Sequence, residues 1–448
     1  MTFYDRETEQ KEIKRLMSLV EKTKKSRMLV VTGRRRVGKT SLLLHTCQQD
    51  SVPCLYFFVT KYALEEQLAQ RWLTEIGDKL QLKYLPPLKR LIDVLEFVLD
   101  YSKQQRLNVI IDECQEIDRF RPAFWSELQR LWDLEKEGSQ TLLALSGSIA
   151  SAMRHIFEDY SEPLFGRPDA FLRIKPFKTS VLEEILWSYQ PNATNDDLLA
   201  LYVITGGVAH YVMSMMDQEA WNLDKICDVV FNPNSAFIGE GSVMLANEFK
   251  SEYGVYFALL QLIARGVTKR NELQDHFECQ ISGQLQRLET YYELINKSAP
   301  LLGQSNQRGL RFKMNDRFLM FWFSFIHGQQ EKIEANNFVG LKEGFKKQYA
   351  DFSGRALEQF FLEKLRESGQ YSALGQWWSR DGQVEIDLIA IDETNQRIRF
   401  FEIKRNPKKI DINAQMTKAA SFFAANPKLR NYNATYEGLS LEDMRKAI

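Results

Sequence analysis

Between an apolar run and an amphipathic one lies Gly33-Arg34-Arg35-Arg36-Val37-Gly38-Lys39-Thr40-Ser41, the stretch that most restricts what this chain can become. Met28 to Val31 read as a short buried strand, and Thr40 to Gln49 as a helix whose Leu42, Leu43 and Cys47 share one side. Glycines at 33 and 38, followed by Lys and Thr between a strand and a helix, let successive N–H groups converge on one anion at the positive end of that helix. Residues Gly33 to Ser41 are therefore expected around a chain of phosphates. Lys39 would reach the β- and γ-phosphates, and the Thr40 hydroxyl would hold Mg²⁺. Such a loop implies an α/β core with a parallel sheet.

The following segments fit that core. Cys54 to Val59 reads as a second strand and Leu64 to Leu80 as a helix. From Arg106 to Glu116 an apolar run ends in Asp112 and Glu113, as expected of a parallel strand with functional groups at its carboxyl end. Asp112 is then the expected Mg²⁺ ligand, and Glu113 the group that polarises the attacking water. Leu142 to Ser148 reads as another central strand, ending in Ser146 and Ser148, candidates to bond the γ-phosphate or the water. A helix N-cap is the other role open to Ser148 or Ser151. Arg167 sits in the turn Pro163 to Pro168, ahead of a strand from Phe171 to Ile174, as a candidate γ-phosphate sensor or an ordinary surface residue. Upstream, Phe3 to Glu9 opens a helix through Ile13, Leu16 and Leu19/Val20.

At 448 residues the chain exceeds one ordinary core, and two to four domains are expected. Its 59 basic and 59 acidic residues exclude a globally basic nucleic-acid binder and leave local patches open. The five cysteines are scattered without a C-x-x-C pair, which points away from disulfides and zinc and towards a reducing cytoplasm. The start does not read as a signal peptide, and the apolar run Phe318 to Ile326 is too short to span a bilayer, so no membrane partner is expected.

Beyond Thr179 the pattern is helical to about Asp217, and Asn232 to Ser235 with Gly239 and Gly241 mark an expected boundary. Val255 to Ala264, Thr268 to Phe277 and Ser282 to Tyr292 read as three helices, with Thr268 and Ser282 as N-caps. A strand follows at Arg311 to Met314, so a winged helix is expected, either reading DNA or packing between domains. Gly328 to Asn337 reads as a linker, and a helix opens at Gly354. Val384 to Ile391 and Arg397 to Lys404 read as paired strands. Glu402 and Lys404, two apart, share a face that Asp387 on the neighbouring strand can reach, with Glu358 on the helix before them. Carboxylates and a lysine so arranged suit metal-assisted phosphodiester cleavage. Lys404, Arg405, Lys408 and Lys409 could track a phosphate backbone.

Taken together, Gly33 to Thr40, Asp112-Glu113-Cys114-Gln115, Leu164 to Arg167 and Phe318 to Phe323 resemble the archaeal-type AAA+ ATPases, which also occur widely in bacteria. The resemblance implies an AAA+ core (1–175), a helical lid (176–245), a winged helix (246–328) and a PD-(D/E)XK nuclease-like domain (338–448). It also implies ATP and Mg²⁺ as ligands. DNA or RNA is the expected client of such an ATPase, and a homo-oligomer is left open. A nucleotide-gated switch or scaffold with an inactive nuclease-like domain is the alternative. The chain departs from the family pattern at Ala209, where proline is usual after the Gly206-Gly207 turn, and at Cys114, where a larger apolar residue is usual.

Overall fold

The computed structural model describes residues 3–61, 64–249, 253–303 and 309–446. They gather into two compact units, Met1–Lys175 and Pro176–Ile448.

In the first unit the order is α1 (Glu7–Thr23), β1 (Arg27–Thr32), α2 (Lys39–Gln48), β2 (Cys54–Phe58), α3 (Glu65–Leu80), α4 (Leu91–Tyr101), β3 (Leu107–Asp112), α5 (Phe124–Glu135), β4 (Thr141–Gly147), α6 (Ala150–Glu158) and β5 (Ala170–Arg173). Five parallel strands pair in the order β2-β3-β4-β1-β5. Alternate residues of β1 serve opposite layers. Leu29 and Val31 pack with Ile13, Leu16, Leu42 and Leu43 of α1 and α2. Met28 and Val30 pack on the other side, in the core that holds Trp72, Leu95, Trp132 and Phe157. Strands covered on both faces are apolar through their middles, which is why residues 28–31, 109–111 and 142–145 read as unbroken runs. β1 lies between β4 and β5, the kind of crossing at whose carboxyl edge α/β sheets bind ligands. The register pairs Thr32 with Gly147 and Asp112 with Ser146, so the loop after β1, Glu113 and Ser148 emerge along that one edge.

In the second unit come α7 (Thr179–Tyr189), α8 (Asn195–Thr205), α9 (Ala209–Asp217), α10 (Leu223–Val230), α11 (Ala236–Phe249), α12 (Tyr253–Ala264), α13 (Arg270–Gln274), α14 (Ser282–Gln286), β6 (Ile295–Ser298), β7 (Arg311–Met314), α15 (Arg317–Phe325), α16 (Gln330–Glu334) and α17 (Phe338–Ser368). β8 (Ala373–Trp378), β9 (Glu385–Asp392), β10 (Arg397–Ile403), α18 (Ile412–Ala425) and β11 (Asn433–Leu439) complete it. β6 and β7 form an antiparallel hairpin. The other sheet runs β11-β10-β9-β8, antiparallel from β8 to β10, with β11 parallel to β10 after the α18 crossover. α8 is buried from Leu198 to Thr205, which explains its lack of a polar face.

Three local expectations change. Gly239 and Gly241 do not break the chain but lie inside α11, where the Trp322 ring occupies the space a Gly241 side chain would need. α17 starts at Phe338 rather than Gly354, because Phe338, Leu341, Phe345, Tyr349 and Phe352 form a buried stripe at helical spacing. The 328–337 stretch accordingly contains α16 and only short connections. Thr268 is not a cap: its carbonyl accepts from Phe312 N at 2.7 Å, and α13 begins two residues later. Among the described residues no helix is long and apolar enough to cross a membrane, and the Phe318 to Phe325 run is core.

Candidate nucleotide site

The loop after β1 is shaped by its glycines. Gly33 has φ +152°, and a β-carbon there would come 2.5 Å from the Ile174 carbonyl oxygen. Gly38, at φ +100°, caps α2 in a conformation that side chains resist. Between them Arg36 also takes positive φ, Arg34 and Arg36 are half-buried, and Arg35 and Ser41 are exposed. Lys39, 5% exposed, donates from Nζ to Gly33 O at 2.9 Å and Arg34 O at 3.2 Å. Burial pushes this ammonium below the ordinary lysine range, while Glu113 and Asp112 pull the other way. The lysine thus grips the carbonyls of its own loop, contacts that phosphate oxygens can replace.

Thr40 Oγ1 donates to Asp112 Oδ2 at 2.6 Å, and the Tyr56 hydroxyl donates to the same oxygen at 3.0 Å. Burial, then the field of Asp112, raises the Tyr56 phenol, so it remains a donor. One hydroxyl and one carboxylate side by side fit Mg²⁺, which usually takes one or two protein oxygens and completes its shell with water and substrate phosphate. Glu113 sits at φ +53° immediately after β3. Its Oε2 accepts from Ser148 Oγ at 2.7 Å and from Gln115 Nε2 at 2.7 Å. Of the two candidate serines, Ser148 therefore reaches Glu113. Ser146 is fully buried with an unpartnered hydroxyl and sits beside Asp112 in the strand register. Arg167 donates from Nη2 to Asp133 of α5 at 2.9 Å and from Nη1 to Pro163 O at 2.7 Å, which commits its guanidinium to α5 and its own turn.

Residues 3–215 match the family of ATPase domains predominantly from Archaea. The chain carries an archaeal-type ATPase domain. Residues 322–416 match a family of archaeal and bacterial proteins of unknown function. An uncharacterized protein of Methanocaldococcus jannaschii is 27% identical over 435 residues, covering 91% of this chain and 90% of that one. Among solved structures, the Walker-type ATPase PABY2304 of Pyrococcus abyssi is 15% identical, covers 72% of this chain and 96% of its own, and superposes with a TM-score of 0.55, a likeness of fold.

Three residues of the ATPase domain gain contacts that the sequence reading did not assign. Tyr56 and Gln115 touch the acidic pair, as above. Arg6, buried at the start of α1, donates from Nη2 to Lys175 O at 2.6 Å and to Val37 O at 3.4 Å, joining the phosphate loop to the end of the unit. Residue spacing signals none of these, because Tyr56 and Arg6 reach partners far away in the chain and Gln115 folds back on Glu113 only through the turn after β3. Tyr56 alone left a trace, as a polar-tipped residue alternating with buried Leu55 and Phe57.

The other candidate set lies in the second unit. Asp387 Oδ2 accepts from Lys404 Nζ and from Ile403 N, both at 2.9 Å, and Lys404 Nζ stands 3.9 Å from Glu402 Oε1. Burial opposes the charge on Lys404, but the Asp387 hydrogen bond and the carboxylates around it raise its pKa. Glu402 Oε2 accepts from Asp411 N at 2.7 Å. Glu358 Oε2 accepts from Gln376 Nε2 at 2.7 Å, and its carboxyl is pushed up to about 8, first by burial and then by Asp387. Lys313 of β7 in turn donates to Gln376 Oε1. Among the described residues no group of three or more His, Cys, Asp or Glu could hold a metal ion. Arg405 does not join a phosphate-tracking row: it donates to Ser353 Oγ at 2.5 Å and Asp196 Oδ2 at 3.0 Å, inside the unit.

Proposed function

We propose that this protein binds ATP with Mg²⁺ and hydrolyses it, using the cycle to move its second unit. The observation that carries the reading is the meeting of Thr40 and Asp112 at 2.6 Å beside a buried Lys39, with Glu113 anchored by Ser148. In the proposed reaction the amides of residues 33–40 cradle the phosphates, and Lys39 exchanges two carbonyls for phosphate oxygens. Thr40 and Asp112 would hold Mg²⁺, which would supply neutralising charge at the phosphates. Glu113 orients the attacking water and takes its proton. Arg6, which holds both Val37 O and Lys175 O, supports coupling, since a shift of the phosphate loop pulls on the last residue before the second unit. Arg167 enters only as a residue that would have to leave Asp133 to act.

For the second unit we propose the lid, winged-helix and nuclease-like divisions implied by the sequence, with nucleic acid as client. The helix, three antiparallel strands, crossover helix and parallel fourth strand from α17 to β11 support a nuclease-like fold, as does the convergence of Glu358, Asp387, Glu402 and Lys404. The same contacts favour a second reading, a switch or scaffold without cleavage, because Lys404 already neutralises Asp387 and Gln376 occupies Glu358. Cleavage of single- and double-stranded DNA and RNA with Mg²⁺ or Mn²⁺ decides between them. Cutting that disappears in Asp387→Ala supports the nuclease, and its absence in the parent supports the scaffold. The ATPase reading is tested by nucleotide binding and phosphate release in the parent, Lys39→Ala and Glu113→Gln.

A further inference from the structure

We infer that Gln115 is a positioning residue for ATP hydrolysis, fixing the Glu113 carboxylate so that one of its oxygens is left for the water; the inference rests on the ATPase reading above. The chain turns sharply after β3, with Glu113 at positive φ, and a short 3₁₀ helix over Cys114–Arg119 brings Gln115 back beneath the carboxylate. Gln115 is 3% exposed and donates Nε2–H to Glu113 Oε2 at 2.7 Å, the same oxygen that accepts from Ser148 at 2.7 Å. The reversed amide would set oxygen against oxygen, so chemistry selects this orientation.

Two donors on one oxygen fix the carboxylate plane, and Glu113 Oε1 takes no hydrogen bond among the described residues. That division suits a base, with one oxygen held and the other available. The amide carbonyl of Gln115 lies buried with no hydrogen-bond partner, a cost an apolar side chain would avoid, so the residue is explained by its donor end. Room for that amide depends on Gly147, where a β-carbon would collide with Gln115 Oε1 and Met153 Sδ. Ser148, the other donor, follows directly in the chain.

The test uses the full chain and steady-state MgATP turnover. Gln115→Met keeps length and removes the donor; with an unchanged melting temperature it should lower kcat about tenfold while KM for ATP stays within about twofold, the signature of a contact that matters in the transition state. Because both donors hold one oxygen, Gln115→Met with Ser148→Ala should lose less than the product of the two single losses. If Gln115→Met melts early, Gln115→Ala, which removes the donor without adding bulk or charge, carries the measurement. An unchanged or raised kcat in the folded variant overturns the inference, as does a loss confined to KM. Parental turnover abolished by Glu113→Gln, alongside an unimpaired Gln115 variant, would sink the inference alone; a parent that does not hydrolyse ATP would sink the ATPase reading and this inference with it.

Discussion

Replacing Glu358 with glutamine should stabilise the protein, and increasingly so as pH rises from about 4.5 to about 8. An unfolded glutamate titrates near 4.5, whereas burial and the neighbouring Asp387 push Glu358 up to about 8 in the folded unit. Below the lower value both states hold the proton and nothing is lost. As pH rises past it the unfolded chain releases its proton and the folded chain does not, so unfolding gains until the folded carboxyl ionises. The full difference is on the order of 4 to 5 kcal/mol; Glu358 keeps part of its surface in water, so about 2 kcal/mol is the working figure. Glutamine cannot ionise and retains an acceptor for Gln376 Nε2, which now bonds Oε2 at 2.7 Å. Thermal unfolding in chelator, followed by circular dichroism, should place Glu358→Gln about 4 °C above the parent near pH 8.5 and much closer to it near pH 5. An equal gap at both pH values would refute the reasoning, since only a titrating group makes the difference depend on pH.

Other outcomes follow from the same contacts. Ser148→Ala should lower ATP turnover about tenfold and Ser146→Ala should leave it within about twofold, because only Ser148 bonds Glu113; steady-state kinetics on the pair separates them. Gly33→Ala should cost about 2 kcal/mol or more in a denaturant titration, as its β-carbon meets the Ile174 carbonyl and its φ is positive. Glu363→Leu should cost about 2 kcal/mol in the same titration, because Arg317 Nη2 and the Tyr202 hydroxyl, each 2.7 Å from that carboxylate, both lose their acceptor.

What could be read from the chain divides by the range of the physics involved. The parallel sheet was legible because strands covered on both faces are apolar through their middles, as Leu142 to Leu145 show. The phosphate loop was legible because curling a backbone around an anion demands glycine and lysine at set spacing. The full length of α17 was missed because Gly344 and Gly354 weaken its propensity, while tertiary packing of Phe345 and Tyr349 decides the outcome. Gln115, Tyr56 and Arg6 carry little or no mark of their contacts in the sequence around them. Their partners sit across a tight turn, on an adjacent strand and at the far end of the unit, and no periodicity records such meetings.

The most direct measurement is MgATP binding by calorimetry together with phosphate release, on the parent, Lys39→Ala and Glu113→Gln. The account predicts binding and turnover in the parent, neither in Lys39→Ala, and in Glu113→Gln binding retained with turnover down about a hundredfold. Parental-rate hydrolysis by Glu113→Gln, or no nucleotide uptake by the parent, would contradict it.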